Sequence, residues 1–378
     1  MRVASSLFVL FFLACSLTCS SCVGVLKYTV NLATSTIENG GPYNTFSQIS
    51  PTRMVADNEG RIFVAAVNTV FVLSPNGSVV KNINVSGAEY MAFNNRTNIV
   101  YVTSGTLPIH TITEISDANL SVIRQLTVSA YPLALATDPT TGKVFIAIGN
   151  EVYALNSTKL VPLFNFLGVP TDMVVSPSGN ILVSAYNFTE NKGYIFMNFQ
   201  GRTNSLELNT FPNSLLLKGN EILVGTDGYI LEINLTLNIV GNISLYGSKI
   251  EGIAYDSNND LVYAAVDSLY GQDYVLVLNN LSPAGEINVG ITPVDIVFDP
   301  VSNYVFVSNF FDGTVAIISQ GCPTQVNSSV SLPIIRSPTV SPQVPVISSF
   351  LPFYVTFVLL ALFSALILRK YISKNRGE

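Results

Sequence analysis

Short apolar runs alternate with polar turns along most of this chain, from about residue 25 to residue 320. Runs such as RIFVAAV, KVFIAIG and NYVFVSN are too short for helices, and they are rich in the β-branched and aromatic residues that favour strands. Gly and Pro recur every few residues, and no helical period is sustained. The pattern therefore predicts an all-β structure.

A unit of about 40 residues recurs along this region. Each copy starts with an apolar strand, which usually follows a Pro and ends at Asp or a substitute, and continues through a Gly- or Asn-containing turn into a second apolar strand. The seven equivalent turn positions are Asp57, Asn94, Asp138, Ser176, Lys218, Asp256 and Asp299. Because a unit of this size holds four short strands, the repeat predicts a seven-bladed β-propeller over residues 23–321.

The seventh copy provides only three of its four strands before the composition changes after Gln320. The segment VLKYTVNLA, residues 25–33, alternates like a strand and lies before the first copy. We expect this N-terminal strand to pair into the last blade and close the ring, which would leave no long free edge.

The last copy, GITPVDIVFDPVSNYVFVSNFFDGTVAIIS, resembles the YVTN-type β-propeller repeat of archaeal and bacterial surface proteins. The tetrapeptide that gives the repeat its name reads FVSN in this copy and YVTS at residues 101–104. The resemblance covers residues 24–320 and is weakest in the fifth copy, where Lys218 replaces the usual Asp. It implies a propeller fold and an exported protein, and it implies no fixed activity.

Both ends of the chain have the composition of membrane-targeting segments. Residues 1–22 combine Arg2, a short apolar run and small residues, which predicts a cleaved secretory signal peptide; the alternative, a permanent anchor, would need a longer apolar run. The uncharged apolar run 350–368 precedes a basic tail at 369–378, which predicts a C-terminal transmembrane helix with the tail in the cytoplasm. The Pro-, Ser- and Thr-rich residues 322–349 are expected to form a stalk.

These segments predict a single-pass cell-membrane protein whose propeller is extracellular. The chain is 48% hydrophobic and only 11% charged, so it is too apolar for disorder. Its formal net charge is −6, and most of its basic residues outside the propeller lie in the short tail. Nucleic acid is therefore not an expected partner.

Ten Asn-x-Ser/Thr sequons agree with an exported, N-glycosylated surface, although a polar β-protein also generates such tripeptides by chance. They are Asn76, Asn84, Asn95, Asn119, Asn156, Asn187, Asn234, Asn242, Asn280 and Asn327. Cys322 follows the last propeller strand, and Cys22 precedes the first if signal cleavage leaves it in place. These two cysteines could form a disulfide in an oxidising compartment, or Cys322 could remain free.

Few residues support a catalytic role. The single histidine, His110, has no partner pattern for a triad or a metal site, and no phosphate-binding glycine motif occurs. The remaining candidates lie near the start of the innermost strands, at the mouth of the expected channel: Arg53, Glu89, Asp172, Glu251 and Asp295. The four carboxylates could hold calcium or a cationic ligand, or they could be structural residues bonded to backbone amides.

The sequence favours a non-enzymatic binding module on the cell surface, with no cofactor and with a cell-envelope component, another surface protein or an extracellular ligand as its partner. The alternative is an exported metal-assisted hydrolase or lyase with its site in the propeller channel, for which calcium would be the cofactor. A sensor is a third hypothesis, but the tail 369–378 is too short for a signalling domain, so signalling would need a partner.

Overall fold

A computed structural model of the protein describes residues 24–38, 49–105 and 109–320, and every regular element in these ranges is a β-strand. The chain divides into two compact units, residues 1–324 and 325–378, and all the described residues belong to the first. No helix within the described ranges is long and apolar enough to cross a membrane. The expected signal peptide, stalk, apolar segment 350–368 and basic tail lie outside the described residues.

The first ten strands are short. They are β1 (Val25–Asn31), β2 (Thr36–Glu38), β3 (Pro51–Ala56), β4 (Ile62–Ala66), β5 (Thr69–Leu73), β6 (Val79–Asn84), β7 (Ala88–Asn94), β8 (Ile99–Ser104), β9 (His110–Ser116) and β10 (Ser121–Val128). The next eight are β11 (Pro132–Thr137), β12 (Val144–Ile148), β13 (Glu151–Asn156), β14 (Lys159–Asn165), β15 (Val169–Val175), β16 (Ile181–Asn187), β17 (Lys192–Phe199) and β18 (Arg202–Leu208).

The last third of the propeller contains two much longer strands. Its elements are β19 (Pro212–Lys218), β20 (Glu221–Asn234), β21 (Ile239–Asp256), β22 (Leu261–Ser268), β23 (Tyr274–Asn279), β24 (Ser282–Asn288), β25 (Pro293–Asp299), β26 (Tyr304–Asn309) and β27 (Thr314–Ser319). At 14 and 18 residues, β20 and β21 each run through a turn at which the repeat predicts that one strand ends and another begins.

The strands of the described ranges form six hydrogen-bonded sheets, so the protein is an all-β, six-bladed propeller and the prediction of seven blades is wrong. The fifth and sixth sequence copies share one six-stranded sheet, β19 to β24. The two copies are joined because Asp227 of β20, in the fifth copy, pairs with Lys249 of β21, which leads into the sixth copy. The predicted C-terminal helix is likewise no part of the described fold.

The N-terminal strand closes the ring. Strand β1 pairs antiparallel with β27, and the sheet order is β2-β1-β27-β26-β25. Val30 of β1 lies opposite Val315 of β27, and both are fully buried. Residues from the two ends of the propeller thus form one sheet, which leaves the last sheet complete.

Each sheet is buried on both faces near the axis and exposed at the rim. All five residues of the second strand β4 are buried, whereas the outer strand β14 is mostly exposed. Leu182 and Val183 are neighbours on β16, yet they pack into different hydrophobic clusters on opposite faces of that sheet. Burial on two faces explains why the second strands read as continuous apolar runs rather than as alternating ones.

The inner strands surround the propeller axis. They contact one another in the order β3, β7, β11, β15, β19, β21, β25 and back to β3. We call the end of the propeller at which these strands begin the front face; Pro51, Ala66 and Thr69 lie together there by register. The opposite end, which carries the Asp57 and Asp138 turns, is the back face.

Candidate functional site: the axis and the front face

Every inner strand has a bulge close to the front face. The pairing register with the second strand shifts at Pro51–Met54, Ala88–Met91, Pro132–Ala134, Pro170–Asp172, Pro212–Ser214, Ile250–Gly252 and Pro293–Asp295. A bulge re-aims the side chains at which it occurs. All five candidate residues lie within or directly at the end of such a bulge: Arg53, Glu89, Asp172, Glu251 and Asp295.

Arg53 and Asp295 form an ion pair at the axis, with Arg53 Nη1 3.6 Å from Asp295 Oδ1. The Arg53 guanidinium also lies over the Tyr90 ring, 5.5 Å from its centroid. Asp172 and Glu251 act on the same guanidinium at longer range, and together with Asp295 they raise its pKa against the opposing effect of burial. Arg53 is thus the cation that balances several acidic groups around the axis.

Two of the axial carboxylates connect neighbouring inner strands. Asp295 Oδ2 accepts a hydrogen bond from the Met54 backbone N–H at 2.6 Å, and Asp172 Oδ2 accepts one from the Leu215 N–H at 2.7 Å. The other Asp172 oxygen accepts the N–H of Met173 at 2.8 Å. Hydroxyls make the same kind of link elsewhere in the ring, as where Thr52 donates to the Glu89 carbonyl at 3.2 Å.

Burial has the largest effect on the pKa values of these acids. It raises the pKa of Glu251 to about 7 and that of Asp295 to about 6, and it also raises the pKa of Asp172. Arg53 opposes the rise in all three cases, and Lys249 opposes it more strongly at Glu251. At neutral pH Glu251 is therefore near half-protonation, whereas a fully solvated Glu would be ionised.

The five sequence candidates thus share the axis, but their carboxylates do not converge on a common point. Within the described residues, no group of three or more His, Cys, Asp or Glu side chains could hold a metal ion. Asp172 and Asp295 already accept backbone hydrogen bonds, which fits the structural interpretation of these residues better than the calcium one. The candidate disulfide partners, Cys22 and Cys322, lie outside the described residues.

Sequence reasoning missed the apolar loops of the front face. Tyr246 is 91% exposed, Tyr270 is 82% exposed and Leu269 is 63% exposed. Both tyrosines belong to a Leu-Tyr-Gly tripeptide, at residues 245–247 and 269–271. This duplicated tripeptide is the sequence feature that could have indicated the surface. Solvated large apolar side chains grouped in adjacent loops are a feature of binding surfaces.

A further aromatic group lies at the edge of this surface. The ring centroids of Tyr186 and Phe211 are 4.6 Å apart, and Phe188 lies edge-on to Tyr186 at 5.0 Å. The Phe211 carbonyl accepts the N–H of Asp227 at 3.0 Å, which connects this group to the corner of β20.

The nine sequons within the described ranges are unevenly placed. Six lie at the back face, either in a turn or at the last residue of a strand: Asn76, Asn95, Asn119, Asn156, Asn234 and Asn280. Asn242 is on the outer part of β21, while Asn84 and Asn187 are at the front ends of β6 and β16. Asn327 lies outside the described residues. Glycans on these sites would therefore cover mostly the back face.

The back face also contains an ionic cluster that the sequence did not predict. Arg61 Nε lies 2.6 Å from Asp57 Oδ2, and Arg61 Nη2 lies 2.7 Å from Asp117 Oδ1 in the neighbouring sheet. Burial and the hydrogen bond with Asp57 together raise the pKa of Asp117 to about 7. The cluster joins two sheets through side chains that are almost completely buried.

Comparisons with known proteins identify the fold and nothing finer. No protein-family model and no curated protein matches the chain. Among solved structures, a hydrazine synthase from Kuenenia stuttgartiensis superposes with a TM-score of 0.65 at 12% identity, covering 75% of this chain and 99% of that one. The WD40 repeats of RRP9 superpose with a TM-score of 0.62 at 14% identity, covering 72% and 95%.

The β-propeller domain of Cps50 (Swd1) from Myceliophteria thermophila gives a TM-score of 0.60 at 12% identity and covers 74% of this chain and 99% of that one. These superpositions show that the chain has a β-propeller fold, and at sequence identities this low they carry no information about its activity. The narrower resemblance to the YVTN-type repeat stays a prediction.

Proposed function

We propose that this protein is a non-enzymatic binding module, displayed on the outer side of a cell membrane and N-glycosylated, whose propeller binds another surface or cell-envelope protein. The observation that carries the proposal is the group of exposed Tyr246, Leu269 and Tyr270 on the front face. Propellers are commonly binding scaffolds, and their loops present variable side chains on a rigid frame.

The axial residues support binding rather than catalysis. Asp172 and Asp295 hold neighbouring inner strands together, and Arg53 neutralises Asp295. Because these groups already have structural partners, few polar groups remain at the axis to act on a substrate. For the metal-assisted hydrolase alternative, no group of three or more His, Cys, Asp or Glu side chains among the described residues is arranged to hold a metal ion.

Display outside the cell rests on the sequence: the signal-like residues 1–22, the sequons, and the apolar segment 350–368 by which the protein would be held at the membrane. The YVTN-like repeat also favours an exported surface protein. The net negative charge argues against a nucleic-acid partner.

A site-specific photocrosslinking experiment tests the function in intact cells that express the full-length protein. A photoreactive amino acid replaces Leu269 on the front face, Phe199 on the back face, or Val161 on the outer strand β14; all three side chains are exposed. A discrete adduct with an envelope or surface protein at Leu269, and none at Phe199, is the expected result. If none of the three positions gives such an adduct, the binding function is wrong.

Two further measurements test the display of the propeller outside the cell and its N-glycosylation. External protease should degrade the propeller in intact cells, and the intact mass of the native protein should exceed the mass of its polypeptide. Replacing Asn76 and Asn119 by Gln should then lower the mass by the corresponding glycans. An inaccessible propeller of unmodified mass would contradict surface display.

A further inference from the structure

The two Leu-Tyr-Gly loops form one surface over the sheet β19–β24. Leu269 donates its backbone N–H to the Gly247 carbonyl at 2.9 Å, which holds the two loops side by side. The Tyr270 ring lies directly on Gly247, since a Cβ atom built on this glycine would be 2.6 Å from Tyr270 Cε2. Gly247 has a φ of +72°, so both its conformation and its contact favour glycine.

Acidic groups lie next to these loops. Lys249 pairs in register with Asp227 on one side and with Asp267 on the other, and Glu251 follows two residues later on the same strand. Three carboxylates and one ammonium group thus belong to neighbouring positions at the base of the loops, and Lys249, Asp267 and Asp227 all influence the Glu251 carboxyl. Burial raises the pKa of both Glu251 and Asp267, and Lys249 opposes the rise without cancelling it.

From this arrangement, which we name the LYG patch (Tyr246, Leu269, Tyr270, Asp227, Glu251 and Asp267), we propose that the front face binds a segment of a partner protein that combines Arg or Lys with apolar residues. This inference rests on the binding function proposed above. A guanidinium or ammonium group can lie over the tyrosine rings and reach the carboxylates, while neighbouring apolar side chains contact Leu269. A positively charged side chain of the partner would be attracted to these three acids.

The distribution of sequons supports the same face. Within the sheet β19–β24, Asn234 and Asn280 lie at the back face and Asn242 lies on the outer part of β21. The front end of this sheet therefore carries no glycosylation sequon. A partner could approach it without meeting a glycan of that sheet, whereas a partner on its back face would meet two.

The charge of the chain argues against a second copy as the occupant. The formal net charge is −6, so two copies repel each other on average, and the patch is itself acidic. A basic segment from a different protein is the occupant that the charge favours.

Binding of defined peptides to the full-length protein in detergent tests the proposal. The probes are a short synthetic peptide of Arg and Leu, a matched peptide in which Glu replaces Arg, and a matched peptide in which Ser replaces Leu. We expect the Arg–Leu peptide to bind at least about tenfold more tightly than either control. We also expect its affinity to fall with added salt, and to fall on acidification from about pH 8 to about pH 5, because Glu251, whose pKa is about 7, becomes neutral.

Surface variants then locate the peptide. The double variant Tyr246→Ser/Tyr270→Ser should weaken the Arg–Leu peptide about tenfold, and Asp227→Asn/Asp267→Asn should weaken it by a similar factor. Phe199→Ser and Glu221→Gln are the matched controls, since both side chains are exposed at the back face. They should leave the affinity unchanged, and all four variants should keep the wild-type melting temperature.

Several outcomes would overturn the proposal. These are the absence of Arg–Leu binding, equal binding of the Glu–Leu peptide, or loss of binding only in Phe199→Ser. Self-association of the wild type that disappears in Tyr246→Ser/Tyr270→Ser would identify a second copy as the occupant instead. Binding to phosphatidylcholine vesicles with the same loss would identify a membrane.

Crosslinking separates this inference from the function itself. If the double tyrosine variant still forms the surface-protein adduct in intact cells through another position, the propeller binds a partner and the LYG patch is the wrong site. If the wild type forms no adduct anywhere, the binding function fails first.

Discussion

Asp172 and Leu215 lie on neighbouring inner strands, and Asp172 Oδ2 accepts the Leu215 backbone N–H at 2.7 Å. Asp295 makes the equivalent bond to Met54 at 2.6 Å on the other side of the axis. Each carboxylate thus gives a backbone amide of a neighbouring inner strand a hydrogen-bond acceptor. Acids that the sequence presented as ligand candidates therefore hold the ring of inner strands together.

Replacing Asp172 by Ala should destabilise the propeller by about 1–3 kcal/mol, because the Leu215 N–H loses its acceptor in a partly buried site. Asp172→Asn should be milder, since the amide oxygen can still accept this bond. Denaturant unfolding of the full-length protein measures both. Glu221→Ala, an exposed change on the back face, is the control and should stay within about 0.5 kcal/mol of wild type. Equal stability of Asp172→Ala and wild type would show that the bond is dispensable.

Arg61→Ala should destabilise the fold by about 3 kcal/mol, because it leaves the buried carboxylates of Asp57 and Asp117 without their cation. The pKa of Asp117 is already raised to about 7, so acidification protonates it and relieves the repulsion. The difference from wild type should therefore shrink between about pH 8 and about pH 5. A destabilisation that is independent of pH would mean that lost packing, and not charge, is the cause.

Glu251→Gln should change the pH dependence of stability. The folded pKa of Glu251, about 7, lies above its ordinary value of 4.5, so the stability linked to its protonation is present below about pH 4.5 and is lost as the pH rises through 7. The neutral amide does not titrate. The free energy of unfolding of Glu251→Gln relative to wild type should therefore rise from about pH 4.5 to pH 8. Glu221→Gln should give a flat difference over the same range.

Gly247→Ala should weaken binding of the Arg–Leu peptide by up to about tenfold while costing only about 1 kcal/mol of stability. The added Cβ meets the exposed Tyr270 ring, which can swing away, so the patch is disrupted and the core is not. Gly149→Ala is the control: it has a φ of +62° and no atom within 4 Å of the added Cβ. It should cost a similar amount of stability and leave binding intact. If Gly247→Ala binds the Arg–Leu peptide as tightly as wild type, the Tyr270 ring does not contribute to the binding site.

The candidate site was only partly predictable. Strand-start positions identified Arg53, Asp172, Glu251 and Asp295, because repeat spacing places equivalent residues around one axis. Spacing could not show which atoms their carboxylates contact, and the backbone links of Asp172 and Asp295 depend on bulges that have no clear sequence signature. The exposed Tyr246, Leu269 and Tyr270 were missed because they lie where the chain turns at the front face, and such positions carry no periodicity.

The sequence by itself determined the all-β propeller, the order of its strands and the strand that closes it, because alternation and turn residues are local properties of the chain. Val30 of β1 and Val315 of β27 belong to segments that can be recognised as strands before their pairing is known. Only the tertiary structure decided how the strands join into sheets. Asp227 and Lys249 pair where the repeat predicts a break, so two sequence copies share one sheet and six blades form instead of seven.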